Sequence, residues 1–250
     1  MTPARRRALV AAPACAVLGA VLAWGLWGLP RFGSSVSEYG RYLSQHAPDQ
    51  RHASNVVSVI VFDYRGWDTA GEELIMFAAV MGTALLLRSQ REGTAEQPAD
   101  AVRSDALRST AFLLVPATLL VGLWTVAFGY LTPGGGFQGG VVAGSAALMV
   151  WVARSYRRHR AVTPAPLVDA SEGAGAMAYL AIGLLGLAAG AAYLQNVVPL
   201  GTRGTLASTG TIALLNAATG LEVAAATVLI FHEFLEEYVE TLSADAGEAG

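Results

Sequence analysis

Ala111-Phe112-Leu113-Leu114-Val115-Pro116-Ala117-Thr118-Leu119-Leu120-Val121-Gly122-Leu123-Trp124-Thr125-Val126-Ala127-Phe128 is followed almost at once by Thr132-Pro133-Gly134-Gly135-Gly136-Phe137 and then by a second uncharged run, Gly139 to Ala153. No charged residue lies between Arg108 and Arg154. An apolar run of about 18 residues or more reads as a transmembrane helix, because about 20 residues cross the ~30 Å hydrocarbon core. Helices are the natural choice there, since they satisfy every backbone N–H and C=O internally. The stretch thus predicts a helix from about Leu107 to Leu131, a tight turn, and a returning helix to Ala153.

The pattern extends outward. Leu9 to Leu29 follows Arg5, Arg6 and Arg7. It is too long for a typical signal-peptide core and no A-x-A-like site follows, so it reads as a retained helix. Residues 30 to 54 are polar and read as a loop. Asn55 to Phe62 is apolar and β-branched but too short to span. A second helix is expected from about Gly71 to Leu87, a fifth from about Gly173 to Leu194 and a sixth from about Thr209 to Phe234. Pro164 and Pro166 mark residues 161 to 172 as a loop, and the acidic tail beyond Glu236 reads as frayed. The expectation is an all-α, polytopic membrane protein with about six transmembrane helices.

Composition agrees. Hydrophobic residues make up 54% of the 250 and charged residues only 14%, against about 25% charged in soluble domains. Mean hydropathy is +0.46. A net charge of −3 gives no reason to expect nucleic acid. The single cysteine, Cys15, rules out an intramolecular disulfide or a Cys-built metal site, and His46, His52, His159 and His232 have no metal-ligand spacing. Arg5 to Arg7, Arg88 to Arg108 and Arg154 to Arg160 fall on one side if six helices alternate, which predicts both termini in the cytoplasm. Trp24, Trp27, Trp67, Trp124 and Trp151 lie mostly near helix ends, as interfacial anchors do.

Three constellations carry candidate chemistry. Asp63, Arg65, Asp68, Glu72 and Glu73 gather where the short apolar run meets the second helix. Asp68 and Glu72 are four apart and would share a helix face, where like charges in low dielectric oppose joint ionisation. Such a pair suits proton exchange or a hydrated Na⁺. Thr69-Ala70-Gly71-Glu72 also fits a capping box, and both readings stay open. The second constellation is Pro133, Gly134, Gly135 and Gly136. It reads chiefly as a structural turn, with Gly140 and Gly144 forming a G-x-x-x-G for close helix packing. No strand precedes it and no Lys-Ser/Thr follows, so a phosphate loop is not expected. The third is Asn216 and Glu222 in the last helix, where an intramembrane carboxyl is either functional or hydrogen-bonded between helices. His232-Glu233 and Glu236-Glu237 are expected to be solvated. Gly144-Ser145 finds no histidine at its depth, so a serine hydrolase is not expected.

These residues also carry a resemblance. Asn55 through Glu72 resembles the segment shared by the E-type module of membrane-bound hydrogenases and the C-terminal part of the Mrp antiporter A subunit. Leu131 through Gly140 is similar to the signature of the Mrp B subunit, and Gly210 through Phe231 resembles that subunit's last helix. The chain therefore looks like a fusion. Residues 1–92 resemble the E-type module with two transmembrane helices, 93–108 a linker, 109–238 the B-type module with four, and 239–250 an acidic tail. The resemblance implies a small, non-catalytic subunit of a hetero-oligomeric cation/proton antiporter in the plasma membrane, contributing to the ion path and to assembly. The alternative is a structural scaffold of a hydrogenase-like redox complex. Partners would be other membrane subunits and lipid; no cofactor is implied, Na⁺ or H⁺ being the transported ions. By resemblance Asp68 and Glu72 match the family's acidic pair, with Asp63, Glu73 and Glu222 as further candidates. Tyr130 stands where most B-type sequences have His, a departure that weighs against a proton relay there.

Overall fold

The computed structural model describes residues 3–29, 37–88 and 104–248, with side chains described from residue 11 to residue 236. Most of the expected linker, residues 93 to 103, lies outside the described residues. The chain divides into two compact units, Met1–Tyr42 and Leu43–Gly250. The first holds α1 (Pro3–Trp27), a helix whose apolar part, Ala11–Trp27, is shorter than the other candidate spans. Cys15 on it is exposed.

The second unit holds the bundle. Long apolar helices are α4 (Gly66–Arg88), α5 (Asp105–Ala127), α6 (Gly136–Ala153), α8 (Ala165–Ala188) and the Thr211–Glu236 part of α9 (Thr211–Glu248). Together with the shorter α1 they give the expected all-α polytopic membrane protein. α9 is the hub. It packs against α4, α5, α6 and α8, and 61% of its spanning window is buried against 11% for α5. The α6–α9 contact follows from small residues: a Cβ on Gly140 would lie 2.7 Å from Val223, and one on Gly144 2.8 Å from Thr227. Removing side chains at that spacing lets helix backbones approach closely.

Several boundaries differ from expectation. Residues 30 to 54 are not all loop, because Glu38–Arg51 forms α2. Ser37 starts it by accepting from the Gly40 N–H at 3.1 Å, the ordinary use of a Ser N-cap. The short apolar run is helical too: α3 (Val56–Val59) passes into a π-helical turn at Ile60–Tyr64. The helix after it starts at Gly66, not Gly71, so Thr69 is inside it and caps nothing. Its hydroxyl instead donates to the Val61 carbonyl at 2.7 Å. Pro164 and Pro166 do not make a loop. They occupy the cap and first turn of α8, where a proline's missing N–H has no intrahelical partner to lose. A short helix, α7 (Tyr156–Val162), precedes them. The end of α9 is helical to Glu248 rather than frayed beyond Glu236; no Gly or Pro interrupts the chain between Gly220 and Gly247.

Candidate carboxyl site

The glycine turn is built from two asparagines. Asn55 Oδ1 accepts from the Val57 N–H at 3.0 Å and caps α3. Its Nδ2 donates to the carbonyls of Gly129 at 2.7 Å and Thr132 at 3.1 Å, and Ser58 adds a 2.7 Å hydroxyl bond to Gly129. From the other side Asn216 Nδ2 donates to the Val126 carbonyl, while its Oδ1 accepts from the Gly136 N–H at 2.8 Å. Gly134 and Gly135 have φ of 139° and 152°, a region that glycine tolerates. Tyr130 is buried and donates to the Leu206 carbonyl at 2.6 Å; burial pushes its phenol upward from the ordinary range.

Deeper in the bundle lie three glutamates from three helices: Glu73 on α4, Glu172 on α8 and Glu222 on α9. They are 3%, 1% and 0% exposed. Gly175 makes room for this, since a Cβ there would sit 2.6 Å from the backbone nitrogen and Cβ of Glu222. Glu222 meets Glu73 carboxyl to carboxyl and lies within electrostatic reach of Glu172. Among the described residues no N–H or O–H donor reaches either oxygen of Glu73 or Glu222, or Oε1 of Glu172. Tyr179, fully buried beside them, points its hydroxyl to the Gly66 carbonyl at 3.3 Å. Buried carboxyls without donors are costly, so these three call for an explanation that packing does not supply.

At the Arg88 end of the bundle most polar groups are paired, His159 Nε2 being the exception among the described residues. Arg88 donates to Glu233 at 2.7 Å and to Asp169 at 3.0 Å. Arg160 donates to His232 Nδ1 at 3.1 Å, which leaves the other ring nitrogen as the N–H facing Thr163 Oγ1 at 2.8 Å. His159 stacks edge-on against His232, with ring centroids 4.9 Å apart, and its Nδ1 lies 2.8 Å from the Ala147 carbonyl. Burial holds the His159 imidazole below its ordinary range, opposed by that hydrogen bond and aided by the Arg160 charge. His232 and Glu233, expected to be solvated, are 1% and 2% exposed. Arg88, Arg160 and Thr163 supply partners that sequence separation conceals.

Residues 106–229 match the family described as a domain related to the MnhB subunit of a Na⁺/H⁺ antiporter, and residues 4–101 match the MbhE family, described as the E-type subunit of MBH. A chain from the membrane-bound sulfane sulfur reductase, an archaeal respiratory membrane complex, is 32% identical, with a TM-score of 0.72 over 92% of this chain and 98% of that one. The chain belongs to the membrane subunits that join an MbhE domain to an MnhB-related domain. An uncharacterized protein of Methanocaldococcus jannaschii is 29% identical over 68% of this chain and 73% of its own. A chain of the Mrp complex from Dietzia sp. DQ12-45-1b shares the fold, with 24% identity and a TM-score of 0.70 over 93% of this chain and 26% of that one.

In this MbhE–MnhB chain the residues singled out from sequence separate into three groups. Asp68 and Glu72 are exposed on the isolated chain, Asp68 bridging to Arg65 at 2.5 Å. Asp63, only 7% exposed, pairs with Arg51. Glu73 and Glu222 meet in the interior. Glu172 and Tyr179 complete the site and were missed. A signal existed for Glu172: Pro166 as a helix-starting residue would have placed it inside a span rather than in a loop.

Proposed function

We propose that the chain is a small, non-catalytic subunit of a multisubunit cation/proton antiporter-like complex of the plasma membrane. Its part in the ion path is the Glu73–Glu222–Glu172 cluster. The observation that carries this reading is the burial of three carboxyls, with no donor on either oxygen of Glu73 and Glu222 or on Oε1 of Glu172 among the described residues. Ionisable groups at membrane depth are expensive and mark ion routes, and a purely structural site gains nothing by keeping carboxyl oxygens unpaired. Two facing carboxyls can share one proton or take up a small cation. Asp68 and Glu72 stand at the adjoining surface, where a neighbouring subunit would cover them. The two-module layout, residues 1–92 and 109–238 joined by 93–108, belongs to the same proposal. The arginine-rich ends of the spans then face the cytoplasm by the positive-inside rule.

In the reconstituted complex, Glu73→Gln with Glu222→Gln should cut cation/proton exchange at least tenfold while the complex purifies whole. Asp68→Asn with Glu72→Gln should reduce it as well. Wild-type exchange in the first double variant sinks the ion-path assignment. A second reading, a structural scaffold of a redox complex, draws support from the likeness to the sulfane sulfur reductase chain. It requires that those variants lose assembly and not flux.

A further inference from the structure

On the ion-path reading above, we propose that the cluster is the inner end of a proton half-route that leaves through Glu172 and Asp169 and opens at the face where Arg88 sits. The steps follow from helix geometry. Gly175 abuts Glu222, so the two lie at one level. Glu172 is three residues along α8 from Gly175, and Asp169 three further, each an axial step of about 4.5 Å on one helix face. Glu172 is within electrostatic reach of Glu222 on one side and Asp169 on the other. Glutamate side chains cover such a step by changing rotamer, or through one bridging water. Each transfer moves a proton from a carboxylic acid to the next carboxylate, and the negative charge moves back by one position; no other reactant is required.

The two ends differ. Past Asp169 the guanidinium of Arg88 is 38% exposed and is shared between Asp169 and buried Glu233. When Asp169 takes a proton its bond to Arg88 weakens, and Glu233 retains the arginine, so the exit has a built-in anchor. Toward the other face Tyr179 closes the site, its ring buried and its hydroxyl held on the Gly66 carbonyl. Directly between Glu222 and Glu233, the α9 face carries Ala226 and Leu229, packed with Val80 and Val168 into an apolar plug. The carboxyls of α8 are the polar way around it.

The test uses the intact complex in sealed vesicles of known orientation. Glu172→Gln should lower exchange at least tenfold with the complex intact, and Glu172→Asp should restore part of it. In a Cys15→Ser background, Asp169→Cys, at the part-exposed mouth, should react with a membrane-impermeant thiol reagent from the Arg88 face alone, read by mass spectrometry so that an inactive variant still reports. Wild-type exchange in Glu172→Gln, where Glu222→Gln is inactive, overturns the route but leaves the cluster. Wild-type exchange in Glu222→Gln removes the underlying ion-path reading instead. Labelling only from the opposite face also overturns the route. If Glu172→Gln does not assemble, Asp169→Asn takes its place, with the same loss expected and wild-type exchange counting against the route.

Discussion

The glycine turn and the carboxyl site are both buried polar regions of one helix bundle, yet they are built oppositely. At the turn, Asn55 and Asn216 each use donor and acceptor together: Asn55 caps α3 at the Val57 N–H and reaches Gly129, 74 residues on, while Asn216 reaches Gly136 and Val126, 80 and 90 residues back. At the carboxyl site, Glu73 and Glu222 meet only another carboxyl, and no donor reaches them among the described residues. A satisfied polar network fixes one structure; an unsatisfied one destabilises it unless something else is carried there. The contrast separates what holds this bundle together from what it holds in readiness.

The comparison can be broken at the turn first. Asn216→Ala removes two buried hydrogen bonds and strands the Gly136 N–H, while the Val126 carbonyl keeps the Gly129 N–H at 3.3 Å. The cost should be about 2–4 kcal/mol, seen as a large fall in melting temperature in detergent. An unchanged melting temperature would mean the turn is not the structural element argued here. Gly175→Ala comes next. Its methyl would lie 2.6 Å from the Glu222 backbone, and overpacking of this kind costs about 1–3 kcal/mol. It should also disturb exchange by moving α8 off α9, so loss of either effect alone would show that packing and site are separable.

A smaller effect is expected from pH. Because His159 titrates below its ordinary value of 6.5 when folded, the unfolded chain binds the proton more readily. Stability from this group is therefore full above about pH 6.5 and declines as pH falls toward the lowered value. His159→Gln should flatten that decline in thermal unfolding between pH 7.5 and 5; an identical slope in both proteins would remove the claim. The smallest stability effect belongs to the carboxyl site. Glu222→Gln should leave the melting temperature unchanged or raise it, by about 1 kcal/mol at most, since it removes a buried carboxyl that has no cationic partner. A fall comparable to that of Asn216→Ala would erase the distinction between the two regions.

The spans were legible because charge is absent over long runs and membrane helices need little else. Close packing of α6 on another helix was legible from Gly140 and Gly144, but that the partner is the Val223–Thr227 face of α9 was not. The orientation of α4 was not. Its sequence is apolar on every side, so nothing in it says whether Glu72 or Glu73 faces inward, and one residue is a 100° turn. The interior choice is settled by Thr69, Ala70, Val80 and Ala84, which share the buried stripe with Glu73. Glu172 was hidden by reading Pro164 and Pro166 as breakers when their position makes them starters. Partnerships such as Arg88 with Asp169 and Glu233 depend on which helices become neighbours, which periodicity does not encode.

The clasp of Asn55 on the Gly129 carbonyl joins residues 74 apart. A ribosome adding about 5–20 residues per second needs roughly 4–15 s to cover that interval. Throughout it the Asn55 amide has been made while its acceptor is still untranslated, so the first half of the bundle must wait, incomplete, for the turn that locks it.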